Sequence, residues 1–458
     1  MVSLLTGPLR RLCVPAAFLL LVTIDCSRSS KPTSLVLVTI DTLRANHLGC
    51  YGYFRDTSPN IDRFAEETVF FERCIVPMAT TLPSHTSLLT STYPIEHGVL
   101  ANVSRGGLLF VPSPGLRSYA EVLRDAGYQT AAFISAAPLK RVTGIAAGFD
   151  RFDEPEGAER RAGETNESVF RWLREEAREP YFLWIHYFDP HIPYAPPAPY
   201  DVLFHSDAEL EAYMDERGFL EALALPGGQT QSFSRFVNAY DGEVRYVDDQ
   251  FQALLDGLRS RSEWKRTVLV LASDHGEGLG QHGIMGHSYT WDEHLHAALM
   301  VRVPGGKARR ASGTISLVDL LPTLFGLVPE LPRGEFLDQA RGRNASAPGF
   351  EPLPVFSQDS PPQRHDPAPG NFSLTTEEWK FFHEPEGADH LYYLPDDPFE
   401  MNDVSARYPD KVEAFRKEVL RLVAEQNRAA AVYQAGREDT MATVDPEVLE
   451  QLRSLGYF

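Results

Sequence analysis

Continuous apolar, β-branched runs recur along the chain and alternate with stretches of helical periodicity. The first run occupies residues 34–41 and has no polar alternation, which is typical of a central parallel strand buried on both faces. Similar runs and helical patterns follow it, the runs at 130–134, 181–186, 267–272 and 299–303 and the helical patterns at 118–126, 168–178 and 243–258. Strands that alternate with helices predict an α/β fold, in which helices sandwich a mostly parallel central sheet.

The C-terminal part of the chain predicts a second, smaller unit. Residues 340–371 are rich in Gly, Pro, Ala and Ser and indicate a loop or domain boundary. Two short strand candidates and one long helical stretch come after it, at 379–382, 390–393 and 409–426. We therefore expect a main domain over residues 34–340 and a C-terminal α+β subdomain over residues 372–458.

Residues 1–26 have the pattern of an export signal. Arg10 and Arg11 precede the apolar run 14–22, which is too short to span a bilayer. Cys26 follows and resembles the acceptor cysteine of a bacterial lipoprotein, but Asp25 stands where such sites prefer a small residue, so lipidation and simple cleavage both remain open. We expect export to the periplasm or cell envelope, with membrane contact only through an anchor at Cys26.

Charge and cysteine content narrow the partners and the compartment. The formal net charge of the 458-residue chain is −20, which repels nucleic acid, so we expect no DNA or RNA partner. An anionic substrate must then be attracted locally, by a metal ion and histidines. Cys50 and Cys74, the cysteines beyond the export segment, could pair or remain reduced. We favour buried thiols, because a domain of this size needs no covalent cross-link.

Acidic residues follow two of the predicted strands. Asp41 ends the first run, and Asp274 and His275 come directly after the run at 267–272. Ligands of parallel sheets bind beyond the carboxyl ends of the strands, and carboxylates with an imidazole suit a divalent ion such as Ca²⁺, Mn²⁺, Mg²⁺ or Zn²⁺. A lone strand-end Asp is as often a helix cap. Thr81, however, precedes a helical stretch whose backbone N–H groups favour an anion, which supports a metal-dependent site.

Several motifs together resemble the sulfatase family of the alkaline phosphatase superfamily. Residues 81–85 read Thr-Leu-Pro-Ser-His where sulfatases carry Cys-x-Pro-Ser-Arg, and Ser-Leu-Leu-Thr, Tyr-Pro and His-Gly follow as in that family. Residues 41–44 and 273–277 resemble the two metal motifs, and residues 190–193 resemble the Pro-His-x-Pro motif. The resemblance covers residues 34–458. It implies the alkaline-phosphatase-like fold, hydrolysis of an anionic sulfate or phosphate ester, and one divalent metal ion.

The sequence departs from the sulfatase pattern at the residues that carry sulfate chemistry. Thr81 stands at the formylglycine cysteine, and the methyl group on its Cβ means that oxidation would give a ketone and no aldehyde. His85 replaces the family's Arg, and His287 replaces its late substrate Lys. Thr42 replaces the second Asp of a metal pair, and the Lys-x-His pair expected after the run at 130–134 is missing.

Threonine is nonetheless the nucleophile in phosphoester-cleaving relatives such as nucleotide pyrophosphatases, lipoteichoic acid synthases and phosphoethanolamine transferases. The resemblance to them implies the metal ligands Asp41, Thr42, Thr81, Asp274 and His275. It also implies the catalytic residues Thr81, His85, His191 and His287. His85 would steady the nucleophile, and His191, His282 or His287 would protonate the leaving oxygen. A second ion at Asp189, His191 or His282 remains open, and His186 is expected to be structural.

Three functions remain open on this basis. The leading hypothesis is a metal-dependent hydrolase of sulfate or phosphate esters with Thr81 as nucleophile, phosphorus being favoured over sulfur. The second is a phospho-transferase that acts on an envelope acceptor. The third is a non-catalytic binding protein that kept the fold, which the complete set of Asp41, Asp274 and His275 argues against.

Overall fold

The structure is a computed structural model. It describes residues 33–103, 108–219, 222–224, 230–359, 371–385, 387–433, 441–443 and 446–455. The predicted export signal and Cys26 lie outside the described residues. Within those ranges, no helix combines the length and the apolarity that a membrane crossing requires.

Strands and helices alternate through the first part of the described chain. The strands are β1 Ser34–Ile40, β2 Val69–Ile75, β3 Leu108–Phe110, β4 Gln129–Phe133, β5 Arg151–Asp153, β6 Tyr181–Tyr187, β7 Ala222–Ala224, β8 Thr230–Ser232, β9 Thr267–Ser273, β10 Gly278–Leu279, β11 Met285–Gly286, β12 His296–Arg302, β13 Arg309–Ser316, β14 Val355–Gln358, β15 Phe372–Thr375, β16 Trp379–His383, β17 His390–Tyr393 and β18 Met441–Thr443. The α-helices are α1 Pro59–Ala65, α2 Thr81–Thr90, α3 Pro94–His97, α4 Tyr119–Asp125, α5 Ala162–Glu175, α6 Ala208–Glu216, α7 Phe233–Arg259, α8 Asp292–Leu295, α9 Leu320–Leu327, α10 Phe336–Gln339, α11 Pro409–Tyr433 and α12 Pro446–Ser454.

The central sheet has the strand order β13-β2-β12-β9-β1-β6-β4-β5. β12 runs antiparallel to β2 and β9, and the other neighbouring pairs in this sheet are parallel. The predicted mostly parallel sheet is therefore confirmed. Four predicted runs correspond to β1, β4, β6 and β9, and the run at 299–303 overlaps the antiparallel strand β12, which ends at Arg302.

Side chains of β1 alternate between two cores, one on each face of the sheet. Leu35 and Leu37 pack in the core that contains residues of α2, whereas Val36 and Val38 pack in the core that contains residues of α7. Because side chains of a strand alternate with a period of two, Thr39 continues the face of Leu35 and Leu37. Asp41, which follows Ile40, continues this face and is thus directed towards α2.

Helix α7 begins at Phe233, although the sequence predicts its start at residue 243. Asp241 and Glu243 are buried on this helix and interrupt the apolar stripe that the prediction followed. Asp241 is satisfied by His47, Tyr53 and Arg55, which explains how a carboxylate is accommodated on the inner face.

The smaller unit consists of the antiparallel sheet β14-β15-β16-β17 with α11 packed against it. Phe356, Leu374, Phe381 and Val419 belong to its core. The prediction of a loop over 340–371 is wrong for β14, whose short apolar run is flanked by prolines that hide it. Helix α11 also extends to Tyr433, beyond the predicted end at residue 426.

The residues after α11 return to the main domain. β18 pairs with β3, and Leu452 of α12 joins Ala136, Ala137 and Phe188 in one apolar cluster. These C-terminal residues, predicted to belong to the subdomain over 372–458, therefore pack on the main domain.

Both remaining cysteines are free thiols, in agreement with the interpretation favoured from the sequence. Cys74 is fully buried in β2, and Cys50 is partly buried.

Candidate active site

Two neighbouring strands bring the predicted acidic ligands to one edge of the sheet. β1 and β9 pair in parallel with Ile40 opposite Ser273, so the residues that follow them, Asp41 and Asp274, lie side by side. The Asp274 N–H donates to the Ile40 carbonyl at 3.4 Å, which fixes this register at the strand ends. This adjacency places both carboxylates where ligands of parallel sheets bind.

His275 joins the two carboxylates. Its Nε2 lies 3.6 Å from Asp41 Oδ1 and 3.5 Å from Asp274 Oδ2, and one ligand atom from each residue falls within 4.8 Å of the others. All three side chains are fully buried. Carboxylate oxygens and an imidazole nitrogen at these separations are a donor set that suits a divalent ion.

Several polar atoms of this group form no hydrogen bond with any of the described residues. Both oxygens of Asp41, Oδ2 of Asp274, Nε2 of His275 and Oγ1 of Thr81 are buried without a hydrogen-bond partner. Leaving one such atom unsatisfied costs about 1–3 kcal/mol. Burial raises the pKa of Asp41 to about 7 and the pKa of Asp274 well above its usual value. A divalent cation would satisfy these atoms and oppose both shifts, so the residues fit such an ion.

Backbone groups orient the carboxylate and the imidazole towards one another. Asp274 Oδ1 accepts hydrogen bonds from the N–H groups of His275 at 2.8 Å and Thr42 at 3.2 Å, which leaves Oδ2 directed at His275. The Nδ1–H of His275 donates to the Gly276 carbonyl at 2.9 Å, so Nε2 carries the lone pair.

Thr42 supports the predicted ligands through its backbone and its hydroxyl. Its N–H donates to Asp274, its hydroxyl donates to the Pro190 carbonyl in the loop of His191, and its backbone has a left-handed φ of 49°. Its place among the metal ligands stays a prediction.

Thr81 is the first residue of α2 and is fully buried. Its hydroxyl is a close neighbour of Asp41 and lowers the pKa of that carboxyl, against the larger effect of burial. Side chains hold this turn in place, because Leu82 N–H donates to Asn102 at 2.8 Å and Ser84 Oγ donates to the Asp274 carbonyl at 2.6 Å. The predicted nucleophile therefore lies next to the predicted ligands.

His85 lies one turn along α2 from Thr81. Its Nδ1 is 2.8 Å from the Thr81 carbonyl oxygen and 3.5 Å from Asp274 Oδ2, and its Nε2 is 2.9 Å from the hydroxyl of Thr39. Burial lowers the pKa of His85 well below its usual value. It is therefore a neutral neighbour of Thr81, where the family has a permanently charged Arg.

His191 and His287 complete the predicted set. The ring of His287 lies 4.6 Å from that of His275 and 5.5 Å from that of His191. The Nδ1–H of His191 donates to Ile192 O at 2.6 Å, and the Nδ1–H of His287 donates to Ala79 O at 3.1 Å. Burial lowers the pKa of both imidazoles to about 4.

Two other candidates lie elsewhere. The ring of His282 stacks on Trp291 at 3.7 Å and is directed towards Glu293, in a buried group where Lys380 already supplies positive charge. Asp189 accepts a hydrogen bond from Ala162 N–H at 2.9 Å. His282, Glu293 and Glu400 form a second group whose ligand atoms lie within 4.8 Å of one another, so a second ion at His282 stays a prediction, whereas Asp189 belongs to no such group among the described residues.

The sequence interpretation missed His186. Its Nδ1 accepts a hydrogen bond from Ser135 N–H at 3.3 Å, so its Nε2–H faces Asp41 Oδ2, also at 3.3 Å. The position of His186 near the end of a predicted strand hinted at a place beside Asp41, because β6 lies next to β1. The sequence interpretation set this hint aside, since a histidine within a buried strand is more often structural.

Few positive side chains of the described residues lie near the predicted ligands. Among the described residues, no Lys or Arg forms a hydrogen bond or ion pair with Asp41, Asp274 or Thr81. Nε and Nη1 of the buried Arg44 donate to Asn46, Gln281 and the Glu277 carbonyl, and its Nη2 has no hydrogen-bond partner. The metal ion would be the main positive charge that meets a substrate.

Comparison with known proteins decides the family. The family model described as Sulfatase matches residues 33–330, which include every predicted ligand and the predicted nucleophile. The chain belongs to the sulfatase family. This membership makes it a hydrolase of the sulfuric and phosphoric ester class, and members of the family generally bind a divalent metal.

Individual sulfatases are distant relatives. The chain is 26% identical to iduronate 2-sulfatase of Mus musculus, over 66% of this chain and 70% of that protein. It is 24% identical to the uncharacterized sulfatase YidJ of Escherichia coli K12, over 82% and 83%. It superimposes on the crystal structure of phosphonate monoester hydrolase of Agrobacterium radiobacter with a TM-score of 0.67 and 21% identity, over 86% and 96%. The last comparison establishes the shared fold.

Proposed function

We propose that this sulfatase-family enzyme hydrolyses a sulfate or phosphate ester with the Thr81 hydroxyl as nucleophile and a divalent ion held by Asp41, Asp274 and His275. The main support for the proposal is the environment of Thr81 Oγ1. This atom is buried without a hydrogen-bond partner, and it lies beside atoms of Asp41, Asp274 and His275 that also lack one. Such an arrangement lowers stability unless something binds there, and it is therefore retained for binding or catalysis.

The reaction follows from the positions of the side chains. A divalent ion would supply the charge that lowers the pKa of a hydroxyl and offsets charge on the transferred group. Thr81 adds to phosphorus or sulfur in line with the leaving oxygen, whose bond breaks with its electron pair. The positive end of the α2 dipole favours the anion. The hydroxyl proton that Thr81 releases passes to the unprotonated Nε2 of His191 or His287, which then delivers it to the leaving oxygen. Water then cleaves the Thr81 ester and restores the hydroxyl.

One feature favours phosphorus over sulfur, and a second favours diesters among the phosphate esters. The methyl group of Thr81 excludes the aldehyde hydrate of formylglycine sulfatases, so the covalent ester must be cleaved by direct attack of water. The scarcity of Lys and Arg also favours a transferred group with one negative charge over one with two, because little positive charge is available besides the ion. We therefore expect phosphodiesters to be better substrates than phosphate monoesters.

The experiment is a comparison of aryl sulfate, aryl phosphate monoester and aryl phosphodiester as substrates of the metal-loaded enzyme. We expect measurable turnover, fastest with the phosphodiester. Thr81→Ala should lower kcat by roughly a thousandfold or more, since the nucleophile acts as part of one catalytic unit. Thr81→Ser keeps the hydroxyl and should retain a substantial fraction. If Thr81→Ala leaves all three rates unchanged, the nucleophile assignment is wrong.

Intermediate trapping distinguishes the alternatives. Acid quenching during turnover should give a peptide containing Thr81 that is heavier by the transferred group, which is a phosphoryl group from the monoester and an aryl phosphoryl group from the diester. A transferase would form the same modified peptide. It would lose the group on Thr81 faster with an added alcohol acceptor than with water alone. A binding protein would bind the ester and the metal without forming the peptide or releasing the aryl alcohol.

Export to the periplasm or cell envelope, with Cys26 as a possible anchor residue, remains part of this proposal. A large negative net charge and an envelope ester substrate are compatible with that compartment.

A further inference from the structure

We propose that Trp184, Thr39 and His85 form a one-way chain of hydrogen bonds that holds His85 in a single neutral tautomer and thereby positions Thr81. The inference rests on the proposed role of Thr81 as nucleophile. It assigns Thr39 and Trp184 a part in the reaction, and it makes His85 a positioning residue that keeps its proton throughout.

The sheet places the three side chains together. Thr39 lies on β1, two residues before Asp41, and Trp184 lies on β6, two residues before His186. Thr39 is in register with His186, so Trp184 and Thr39 project from the same face of adjacent strands. Helix α2 packs on this face and supplies His85. Trp184, Thr39 and His85 are all fully buried, which excludes bulk water as an alternative partner.

The direction of the hydrogen bonds is set by Trp184, because its indole N–H can donate but cannot accept. The indole Nε1–H of Trp184 is a donor only, and it lies 3.0 Å from Thr39 Oγ1, which must accept. The Thr39 hydroxyl has one proton left to give, and its other partner is His85 Nε2 at 2.9 Å. A proton on Nε2 would leave the buried Thr39 O–H without an acceptor, so His85 Nε2 accepts and the ring proton is on Nδ1.

The other end of the ring requires the same tautomer independently. His85 Nδ1 is 2.8 Å from the Thr81 carbonyl oxygen, which can only accept. An Nε2–H tautomer would set two lone pairs against each other at this distance. The ring lies beside those of Trp184 and His186, with centroids 5.3 Å and 5.1 Å away.

The chain ends on the backbone of the nucleophile. A hydrogen bond to the Thr81 carbonyl fixes the peptide plane that follows Thr81, and hence the direction in which its Cα–Cβ bond points. The neighbouring bond from Ser84 Oγ to the Asp274 carbonyl holds the same turn against β9. A small rotation of this turn would move Thr81 Oγ1 away from Asp41 and from the in-line path, and misplacements of this kind reduce rates steeply.

The first test breaks the chain at its middle. Thr39→Val keeps the shape of the side chain but removes the hydroxyl, and Thr39→Ser keeps the hydroxyl as the matched control. We expect Thr39→Val to lower kcat about tenfold with KM changed less than about twofold, which is the size of one net hydrogen bond. Thr39→Ser should retain most of kcat. Equal kcat values for Thr39→Val and wild type would overturn the proposal.

The second test separates the two nitrogens of the ring. His85→Asn places an amide at the position of Nδ1, where it can donate to the Thr81 carbonyl, whereas His85→Gln places its amide nearer to Thr39. We expect His85→Asn to retain clearly more activity than His85→Gln. The reverse order would mean that the contact with Thr39, and not the bond to Thr81, sets the rate.

The third test observes the tautomer without any substrate. Protein labelled with ¹⁵N in the histidine rings should give a protonated Nδ1 and an unprotonated Nε2 for His85, assigned by the signals that His85→Gln loses. A protonated Nε2 would overturn the proposal whatever the activities are. Should Thr81→Ala leave turnover unchanged while the predicted tautomer is observed, the proposed nucleophile fails but the hydrogen-bond chain stands.

Discussion

Replacement of Asp274 by Asn should have opposite effects on the metal-free and the metal-loaded protein. Asn keeps the shape of the side chain, and its Oδ1 can still accept the bonds from the N–H groups of His275 and Thr42 at 2.8 and 3.2 Å. The substitution therefore removes one negative charge at little other cost. The ligand oxygens of Asp41 and Asp274 lie within 4.8 Å, so two ionised carboxylates would repel by about 3 kcal/mol at an effective dielectric constant of ~20. This figure is an upper bound, because the raised pKa values of both groups let the metal-free protein keep a proton on the pair.

These energies convert into shifts of the melting temperature. An unfolding entropy of about 2.1 cal/mol/K per residue over roughly 420 residues gives about 0.9 kcal/mol per degree. Metal at a hundred times its Kd should stabilise the wild type by about 2.7 kcal/mol and raise Tm by about 3 °C. Metal-free Asp274→Asn should melt no lower than the metal-free wild type and up to about 3 °C higher, with little further gain from metal.

Differential scanning calorimetry in chelator, and again during titration with Mn²⁺ or Ca²⁺, measures both effects. Asp189→Asn is the matched control, since Asp189 is a buried carboxylate beyond β6 whose partner is the Ala162 N–H. This control should keep the full metal-induced shift. A metal-induced shift of wild-type size in Asp274→Asn would refute the ligand assignment, and a metal-free Tm several degrees below wild type would refute the charge argument.

Three further outcomes are expected. Lys380→Met removes the ammonium that lies 3.9 Å from the buried Glu400 carboxylate, so the free energy of unfolding measured in urea should fall by about 3–5 kcal/mol. The double variant Lys380→Met with Glu400→Gln removes both charges and should recover most of this loss. Gly276→Ala places a Cβ 2.0 Å from the Glu293 carbonyl oxygen, so turnover and Tm should both fall, and wild-type values for both would contradict this packing. Cys26→Ser should abolish incorporation of labelled fatty acid and release the protein from the membrane fraction, whereas an unlabelled wild type would indicate simple cleavage.

The ligand set was predictable because it depends on local pattern and on one topological rule. A continuous apolar strand that ends in Asp41, and another that ends before Asp274 and His275, suffice to place three ligands at one sheet edge. That β1 and β9 are immediate neighbours does not follow from either strand, because strand order is set by packing over the whole domain.

The hydrogen bonds that hold the ligands and Thr81 in place could not be predicted, because they too depend on which strands are neighbours. Trp184 and Thr39 look like ordinary residues of buried strands, and only the register of β6 with β1 brings them together. The contact of the Thr42 hydroxyl with Pro190 was not predicted either, because it depends on the left-handed backbone at Thr42. Hydrogen-bond directions of this kind depend on partners more than a hundred residues away.

The short helix α12 has a consequence for the region behind His191. Leu452 and Phe188 belong to one apolar cluster, and the ring of Phe188 stacks on that of His191 at a centroid distance of 4.2 Å. A substitution at Leu452 can therefore reach a candidate site residue through a single intervening ring, so a loss of turnover in a Leu452 variant would not by itself place Leu452 at the substrate.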